Sequence, residues 1–200
     1  LNIGVCVYPA DGKDVAKLFT NAENTLLNTQ YLWKNSCMYY TKEISKTVAR
    51  RLELKESLFY AIEDKELLLH YQPIVDLESG NLTGVEALVR WHHPKFGMLL
   101  PEKFIPLAKE TGLIVDLSKW VLKQACKQAR MWHEAGFKSL SMTINISAIE
   151  FDQAKLIGHI EGVLAETGMP PELLELDIAE SVLMQDAEMM SIFTPILRAN

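Results

Sequence analysis

Apolar residues along this chain follow two spacings, one typical of strands and one typical of helices. An apolar segment at 67–75, turn residues and a second segment at 82–91 predict a β-hairpin. Beyond the hairpin, helical and strand-like segments alternate: 101–109, 113–135, 140–146, 149–167, 173–179 and 187–197. Alternation of this kind indicates parallel βα units, and therefore an open α/β sheet or a (β/α)8 barrel.

The first 65 residues show a different order of elements. Ile3, Val5 and Val7 alternate with other residues, residues 14–28 are amphipathic, and a further strand is expected before residue 40. Residues 41–65 form one helical run. Two interpretations of this run stay open: an amphipathic helix docked on the second domain, or a connector that passes a signal.

Composition limits the classes of function. The 200 residues are 48% hydrophobic and 23% charged, which is typical of a globular protein. A net charge of −6 argues against a nucleic-acid polymer or an anionic membrane as partner, so an anionic nucleotide would need a local basic site. Cys6, Cys37 and Cys126 lack metal-ligand spacing and predict reduced thiols. We expect a cytoplasmic protein, attached to a membrane only through segments outside this chain.

Two charged residues interrupt the second strand of the hairpin. Glu86 and Arg90 are an even number of residues apart, so on a strand they could share a face and form an ion pair. A charge that faces a core costs free energy unless it is paired or bound to a metal. The alternative is functional: a carboxylate that holds a cation and a guanidinium that holds a phosphate.

Two later residues hold comparable places. Asn145 and Asp177 lie in strand-like segments separated by roughly the 30 residues of one βα unit, so neighbouring strands should carry them. Active sites of such barrels lie at the carboxyl ends of the strands. Glu86, Asn145 and Asp177 are therefore expected at one rim. Two carboxylates and an amide, without a thiol, suit Mg²⁺ or Mn²⁺ rather than zinc.

The five histidines are predicted to have no role in this site. His92 and His93 are adjacent on a strand and point to opposite faces, so both are expected in solvent or in a loop. His70, His133 and His159 are isolated in the sequence.

Long, ordered motifs carry a family resemblance. Tyr-Gln-Pro-Ile-Val-Asp at 71–76 precedes Glu-Ala-Leu at 86–88, and Pro-Glu-Lys-Phe-Ile-Pro-Leu-Ala follows at 101–108. From residue 69 onward the chain resembles the EAL domain family, which comprises phosphodiesterases and catalytically silent receptors for cyclic di-GMP. The resemblance implies a TIM-type (β/α)8 barrel whose first strand is antiparallel.

The resemblance also implies a metal site. Glu86 matches the metal-binding glutamate of the family signature, and Asn145 and Asp177 match two further ligands of a two-metal Mg²⁺ or Mn²⁺ site. Asp177 is one methylene shorter than the usual glutamate, and Ala179 replaces the usual threonine. Because a displacement of about 1 Å can cost about 10²-fold in rate, these departures bear on turnover more than on binding.

Four residues match other parts of the family site. Gln72 and Arg90 match residues that hold the dinucleotide and its phosphate, and Leu88 matches an apolar contact beside the base. Glu180 matches a glutamate that steadies a catalytic loop. Two functions follow from the resemblance: hydrolysis of cyclic di-GMP to linear pGpG, with Glu86 as a catalytic residue, or a receptor without catalysis.

The start of the chain resembles another family. The pattern Ile-Gly-Val-x-x-Tyr-Pro-x-Asp-Gly at 3–12 is similar to the end of a GGDEF (diguanylate cyclase-like) domain of α+β type. The expected organisation is a cyclase-like tail at 1–40, a connecting helix at 41–65 and the amino-terminal part of an EAL domain at 66–200. The family's Asp-Asp loop, lysine strand and late glutamate would follow, so we expect an incomplete barrel that is marginally stable or oligomeric, for example a homodimer.

Overall fold

The computed structural model describes residues 1–32, 35–146 and 153–178. The chain divides into two compact units, Leu1–Ser57 and a second unit that begins at Leu58. In this described part, no helix is both long enough and apolar enough to cross a membrane.

The first unit has the predicted strand–helix–strand order. Its elements are β1 (Ile3–Val5), α1 (Val15–Leu32), β2 (Cys37–Tyr39) and most of α2 (Lys42–Leu58). β1 and β2 pair in parallel, and α1 packs against them. Gly4 allows this packing, because a Cβ there would lie 2.5 Å from the carbonyl oxygen of Ala22 on α1.

The helical run predicted at 41–65 is shorter in the structure. α2 ends at Leu58, and turns occupy the following residues up to Lys65, which has a positive φ of 58°. The amide N–H of Ala61 reaches the carbonyl of Leu58, and the N–H of Glu66 reaches that of Ala61. These local turns keep apolar side chains near helical spacing without continuing the helix.

The second unit is an α/β layer with an antiparallel start. Its elements, in chain order, are β3 (Leu67–Val75), β4 (Leu82–His93), β5 (Gly97–Leu99), α3 (Pro101–Thr111), α4 (Ile114–Glu134), β6 (Ser141–Ile146), α5 (Gln153–Thr167), a 3-10 turn (Pro171–Leu173) and β7 (Leu174–Ile178). The strand order is β3-β4-β6-β7, with β5 paired to the end of β4. β3 is antiparallel to β4, while β6 and β7 continue in parallel. The predicted hairpin and the βα units after it are confirmed as far as β7.

Local sequence sets the ends of α3 as expected. Pro101 occupies the first turn, where a missing N–H costs nothing, and Gly112 ends the helix with a φ of 76°. Pro106 lies inside the helix, which nevertheless continues to Thr111.

The helices cover one face of the sheet. Trp91 of β4 packs edge-on against Phe104 of α3, with ring centroids 5.7 Å apart, and Met142 and Ile144 of β6 are buried on the same side. Each such side chain contributes about 1.5–3 kcal/mol when it leaves water. The α4 residues facing this layer are Ile114, Leu117, Val121, Leu122, Ala125, Cys126 and Ala129.

The prediction for His93 was wrong. His92 is exposed, but His93 is only 3% exposed and lies with its ring centroid 5.0 Å from that of Trp91. Its Nδ1 accepts the backbone N–H of Lys95 at 3.0 Å. Alternation along β4 therefore places His93 with Trp91 on the helix-covered side.

Candidate functional site

The other face of the sheet, which we call the open face, carries most of the polar side chains of these strands. Val85, Ala87 and Trp91 of β4 are buried under the helices. Because successive side chains of a strand point to opposite faces, Glu86 and Arg90 point to the open face. The open-face residues include Leu68, His70, Gln72, Glu86, Leu88, Arg90, His92, Thr143, Asn145, Glu175 and Asp177.

Strand register arranges four of these residues in one cross-strand row. Gln72 of β3 pairs with Glu86 of β4, Glu86 pairs with Thr143 of β6, and Thr143 pairs with Glu175 of β7. Side chains directly opposite each other in a sheet lie within about 5 Å at their Cβ atoms. The row therefore brings a predicted substrate residue and a predicted metal ligand together.

Glu86 is hydrogen-bonded to an amide. Asn145 donates from Nδ2 to Oε1 of Glu86 at 2.6 Å. Arg90 donates from Nη1 to the carbonyl oxygen of Val89 at 2.8 Å, and no ion pair joins it to Glu86 in the part of the chain that the structure describes. Of the two alternatives left open for Glu86 and Arg90, the ion pair is therefore not formed there, and the partner of Glu86 is the predicted metal-binding asparagine.

Asp177 lies next to this pair. Its Cα pairs with that of Asn145 across β6 and β7, so both side chains emerge from the open face at the same level, and both are exposed. The prediction that Asn145 and Asp177 stand on neighbouring strands is confirmed. Glu86, Asn145 and Asp177 thus occupy three adjacent strands of one face.

The three predicted substrate residues share this face. Gln72 is exposed beside Glu86, whereas Leu88 and Arg90 are half-buried further along β4, toward the carboxyl ends of β6 and β7. Arg90 supplies a guanidinium on the same face as Glu86, four residues further along β4.

Two sequence predictions lie outside the described residues. Glu180, the predicted loop-supporting glutamate, and the helix expected at 187–197 belong to the part of the chain that the structure does not describe. The same is true of Ala179.

Thr143 and Glu175 were not predicted as part of this face. Thr143 donates from Oγ1 to Oε2 of Glu175 at 3.1 Å, on the strands that carry Asn145 and Asp177. The sequence contained a signal for this placement: each residue stands two positions before a predicted metal ligand, and residues two apart on a strand point to the same face. His70, predicted to have no role, also points to the open face, two residues before Gln72.

The two faces differ in electrostatic environment. Tyr71, on the covered side, packs edge-on against Trp132 at 4.8 Å between ring centroids, and burial raises its pKa to about 12. Burial also raises the pKa of the Cys126 thiol to about 12, which keeps it protonated and unreactive. Both of these groups therefore stay protonated near pH 7.

The oxygen donors of the open face fit a hard cation. With the N–H of Asn145 directed to Glu86, its amide oxygen and the second carboxylate oxygen of Glu86 remain as donors beside the carboxylate of Asp177. Among the described residues, no cluster of three histidine, cysteine, aspartate or glutamate side chains forms a metal site, and the third donor here is an amide.

Comparison with curated proteins gives close relatives. The chain is 36% identical over 187 residues to MucR of Pseudomonas aeruginosa, named a bifunctional diguanylate cyclase/cyclic di-GMP phosphodiesterase, covering 94% of this chain and 27% of MucR. It is 35% identical over 187 residues to NbdA of the same organism, named a cyclic di-GMP phosphodiesterase, covering 94% and 24%. The chain spans about a quarter of the length of these relatives.

Solved structures give the same picture. The MucR phosphodiesterase in complex with c-di-GMP is 39% identical, with a TM-score of 0.69 over 72% of this chain and 59% of that one. The FimX EAL domain of Xanthomonas citri in complex with c-diGMP is 27% identical, with a TM-score of 0.66 over 78% and 60%. These neighbours have the α/β fold expected for part of a TIM-type barrel. Residues 55–200 match the EAL domain family, and the chain belongs to that family.

Proposed function

We propose that the protein hydrolyses one phosphodiester bond of cyclic di-GMP and releases linear pGpG. The observation that carries this proposal is the hydrogen bond from Asn145 to Glu86 beside Asp177, on the face that also presents Gln72 and Arg90. Relatives named as cyclic di-GMP phosphodiesterases support it.

Glu86, Asn145 and Asp177 would hold a divalent cation, Mg²⁺ or Mn²⁺. When bound, such a cation supplies charge that lowers the pKa of water and stabilises phosphoryl oxygens. The amide of Asn145 keeps one oxygen of Glu86 in a fixed direction, so the carboxylate does not have to be ordered when the cation arrives. A complete two-metal site requires ligands in addition to these three.

Gln72, Leu88 and Arg90 would orient the dinucleotide. Arg90 would donate to a phosphate oxygen, an interaction for which the planar guanidinium is well suited. Gln72, directly beside Glu86, would position the ligand over the carboxylate, and Leu88 would contact a base with its apolar side chain. Glu180 would steady a loop beside the site.

A receptor without catalysis is the second candidate function. Asp177 places its carboxylate one methylene nearer the backbone than the glutamate it replaces, which reduces its reach toward a shared cation. Ala179 removes a hydroxyl close by in the sequence. A face that still presents Gln72 and Arg90 would bind the dinucleotide even if turnover were lost.

The test is incubation of the full-length protein with cyclic di-GMP and Mg²⁺ or Mn²⁺, followed by chromatography for linear pGpG. Product formation supports the phosphodiesterase, and binding without product supports the receptor. Glu86→Ala should abolish metal-dependent hydrolysis. Glu172→Ala, an exposed glutamate of the 3-10 turn outside the open face, is the matched control and should leave hydrolysis unchanged.

We also propose that the first unit is the end of a GGDEF-like domain. The organisation would be a cyclase-like tail at 1–40, a connecting helix within 41–65 and the amino-terminal part of an EAL barrel at 66–200. The similarity to MucR, whose name includes diguanylate cyclase, supports this organisation. A cytoplasmic location and a homodimer complete the proposal, and sedimentation of the purified full-length protein tests the latter.

A further inference from the structure

His70 stands among the residues that the proposed function assigns to the dinucleotide. It is two residues before Gln72 on β3, and its Cα pairs with that of Leu88, while Gln72 pairs with Glu86. Cβ atoms of directly opposite residues lie about 4.5–5.5 Å apart, and diagonal neighbours about 7–8 Å apart. His70 is therefore beside Leu88 and diagonal to both Glu86 and Arg90.

The same position faces the predicted metal ligands across β4. Register pairs Ala87 with Ile144, so the following residues, Leu88 and Asn145, stand at one level, and Asn145 pairs with Asp177. His70 is thus the β3 member of the cross-strand row that ends in Asp177. It lies one row nearer the carboxyl ends of β6 and β7 than Gln72 does.

Packing does not explain a histidine here. His70 is exposed, and its imidazole makes no hydrogen bond, ion pair or ring contact with the described residues. His93, by contrast, is buried and accepts backbone N–H groups of Lys95 and Phe96. A planar ring with an unused N–H donor therefore stands on the open face, within reach of any molecule that contacts Leu88.

We propose that His70 is a substrate-binding residue, and that its ring N–H donates a hydrogen bond to an oxygen of the bound cyclic di-GMP. The neighbouring protein groups leave this role to the ligand, because Leu88 offers no side-chain acceptor, one oxygen of Glu86 accepts from Asn145, and the other oxygen is assigned to the cation in the proposed function. The inference rests on the proposed function, since its ligand is the dinucleotide of that proposal.

The experiment compares His70→Ala, His70→Phe and His70→Gln in the full-length protein. The dissociation constant of an anthraniloyl-labelled cyclic di-GMP would be obtained from its association and dissociation rates in Mg²⁺, before hydrolysis contributes. We expect about tenfold weaker binding for the alanine and phenylalanine variants, the effect of one lost hydrogen bond to a charged or polar ligand. The glutamine variant keeps a donor and should bind within about threefold of the wild type.

Glu172→Gln is the control, because Glu172 is an exposed residue of the 3-10 turn and lies outside the open face. It should bind like the wild type. Unchanged binding by His70→Ala, full binding by His70→Phe, or an equal loss in Glu172→Gln would each overturn the assignment. Wild-type protein that fails to bind would instead overturn the proposed function, so the two failures are distinguishable. Unfolding midpoints of the His70 variants should agree with that of the wild type, because the His70 side chain is exposed.

Discussion

The Asn145–Glu86 hydrogen bond is the interaction on which the candidate site depends most. It fixes the direction of one carboxylate and, through the same amide, the direction of the Asn145 oxygen. Asn145→Leu keeps the approximate shape of the side chain but removes both the donor and the oxygen. We expect about 10- to 100-fold weaker Mn²⁺ binding, the usual effect of losing a group that orients a metal-binding carboxylate.

Titration with Mn²⁺, followed by the electron paramagnetic resonance signal of the free ion, measures this affinity. Thr143→Val is the control on the same strand, because the Thr143 hydroxyl donates to Glu175 and not to Glu86. Its Mn²⁺ affinity should match that of the wild type. Equal affinity in the Asn145→Leu variant would contradict the assignment of Asn145 to the cation.

The length of the side chain at 177 gives a second prediction at this scale. Asp177→Glu restores, at an exposed position, the methylene that the family motif carries. We expect kcat for cyclic di-GMP hydrolysis to rise by about tenfold, because ligand placement within 1 Å affects rate strongly. The measurement is initial rate of pGpG formation at saturating substrate. Glu172→Asp serves as the control for a carboxylate change outside the open face, and an unchanged or lower kcat in Asp177→Glu would contradict the prediction.

Residue-level sequence reasoning placed some groups correctly and missed others. Spacing placed Asn145 and Asp177 on neighbouring strands, because one βα unit has a nearly constant length. Spacing could not decide whether Glu86 and Arg90 form an ion pair, because it shows that they share a face of the strand but not which groups they contact. The open-face position of His70 follows from its spacing of two residues from Gln72, whereas its pairing with Leu88 depends on the register of the hairpin, which this spacing does not determine.

At the scale of elements, β4 and β6 approach closely at a glycine. Gly84 pairs with Ser141, and a Cβ at 84 would lie 2.3 Å from the Ser141 hydroxyl oxygen. Gly84→Ala should therefore lower the free energy of unfolding by about 1–3 kcal/mol, as overpacking does elsewhere. Denaturant unfolding followed by circular dichroism measures the change.

A second substitution identifies the cause. Ser141→Ala removes the hydroxyl that the new methyl group would meet, so the double variant should recover much of the stability lost in Gly84→Ala. Gly158→Ala on α5 is the control: its Cβ would have no neighbour within 4 Å, and helix propensity predicts a gain of about 0.5–1 kcal/mol. A Gly84→Ala variant as stable as the wild type would contradict the prediction, because it would show that the Ser141 hydroxyl moves aside without cost.

Element boundaries were predicted where local chemistry sets them. Pro101 and Gly112 bound α3 as expected, and turn residues bound the hairpin, because these signals act through the backbone itself. The end of α2 at Leu58 was not predicted, since the turns after it preserve apolar spacing. The burial of His93 was likewise missed, because it depends on the packing of Trp91 against α3 rather than on the sequence around it.

At the scale of the whole molecule, the two packed units should respond differently to ligand. The open face belongs to the second unit, and Leu1–Ser57 is compact in its own right. A ligand that binds only the native state stabilises it by about 2.7 kcal/mol at a concentration 100 times its dissociation constant. Cyclic di-GMP with Mg²⁺ should therefore slow amide hydrogen exchange in peptides from β4 and β6 and leave peptides from α1 nearly unchanged.

Mass spectrometry of the full-length protein measures this, with Glu86→Ala as the variant expected to lose the metal-dependent part of the protection. Equal slowing in α1 and β6 would contradict the division, because it would show that ligand binding stabilises both units as one cooperative body.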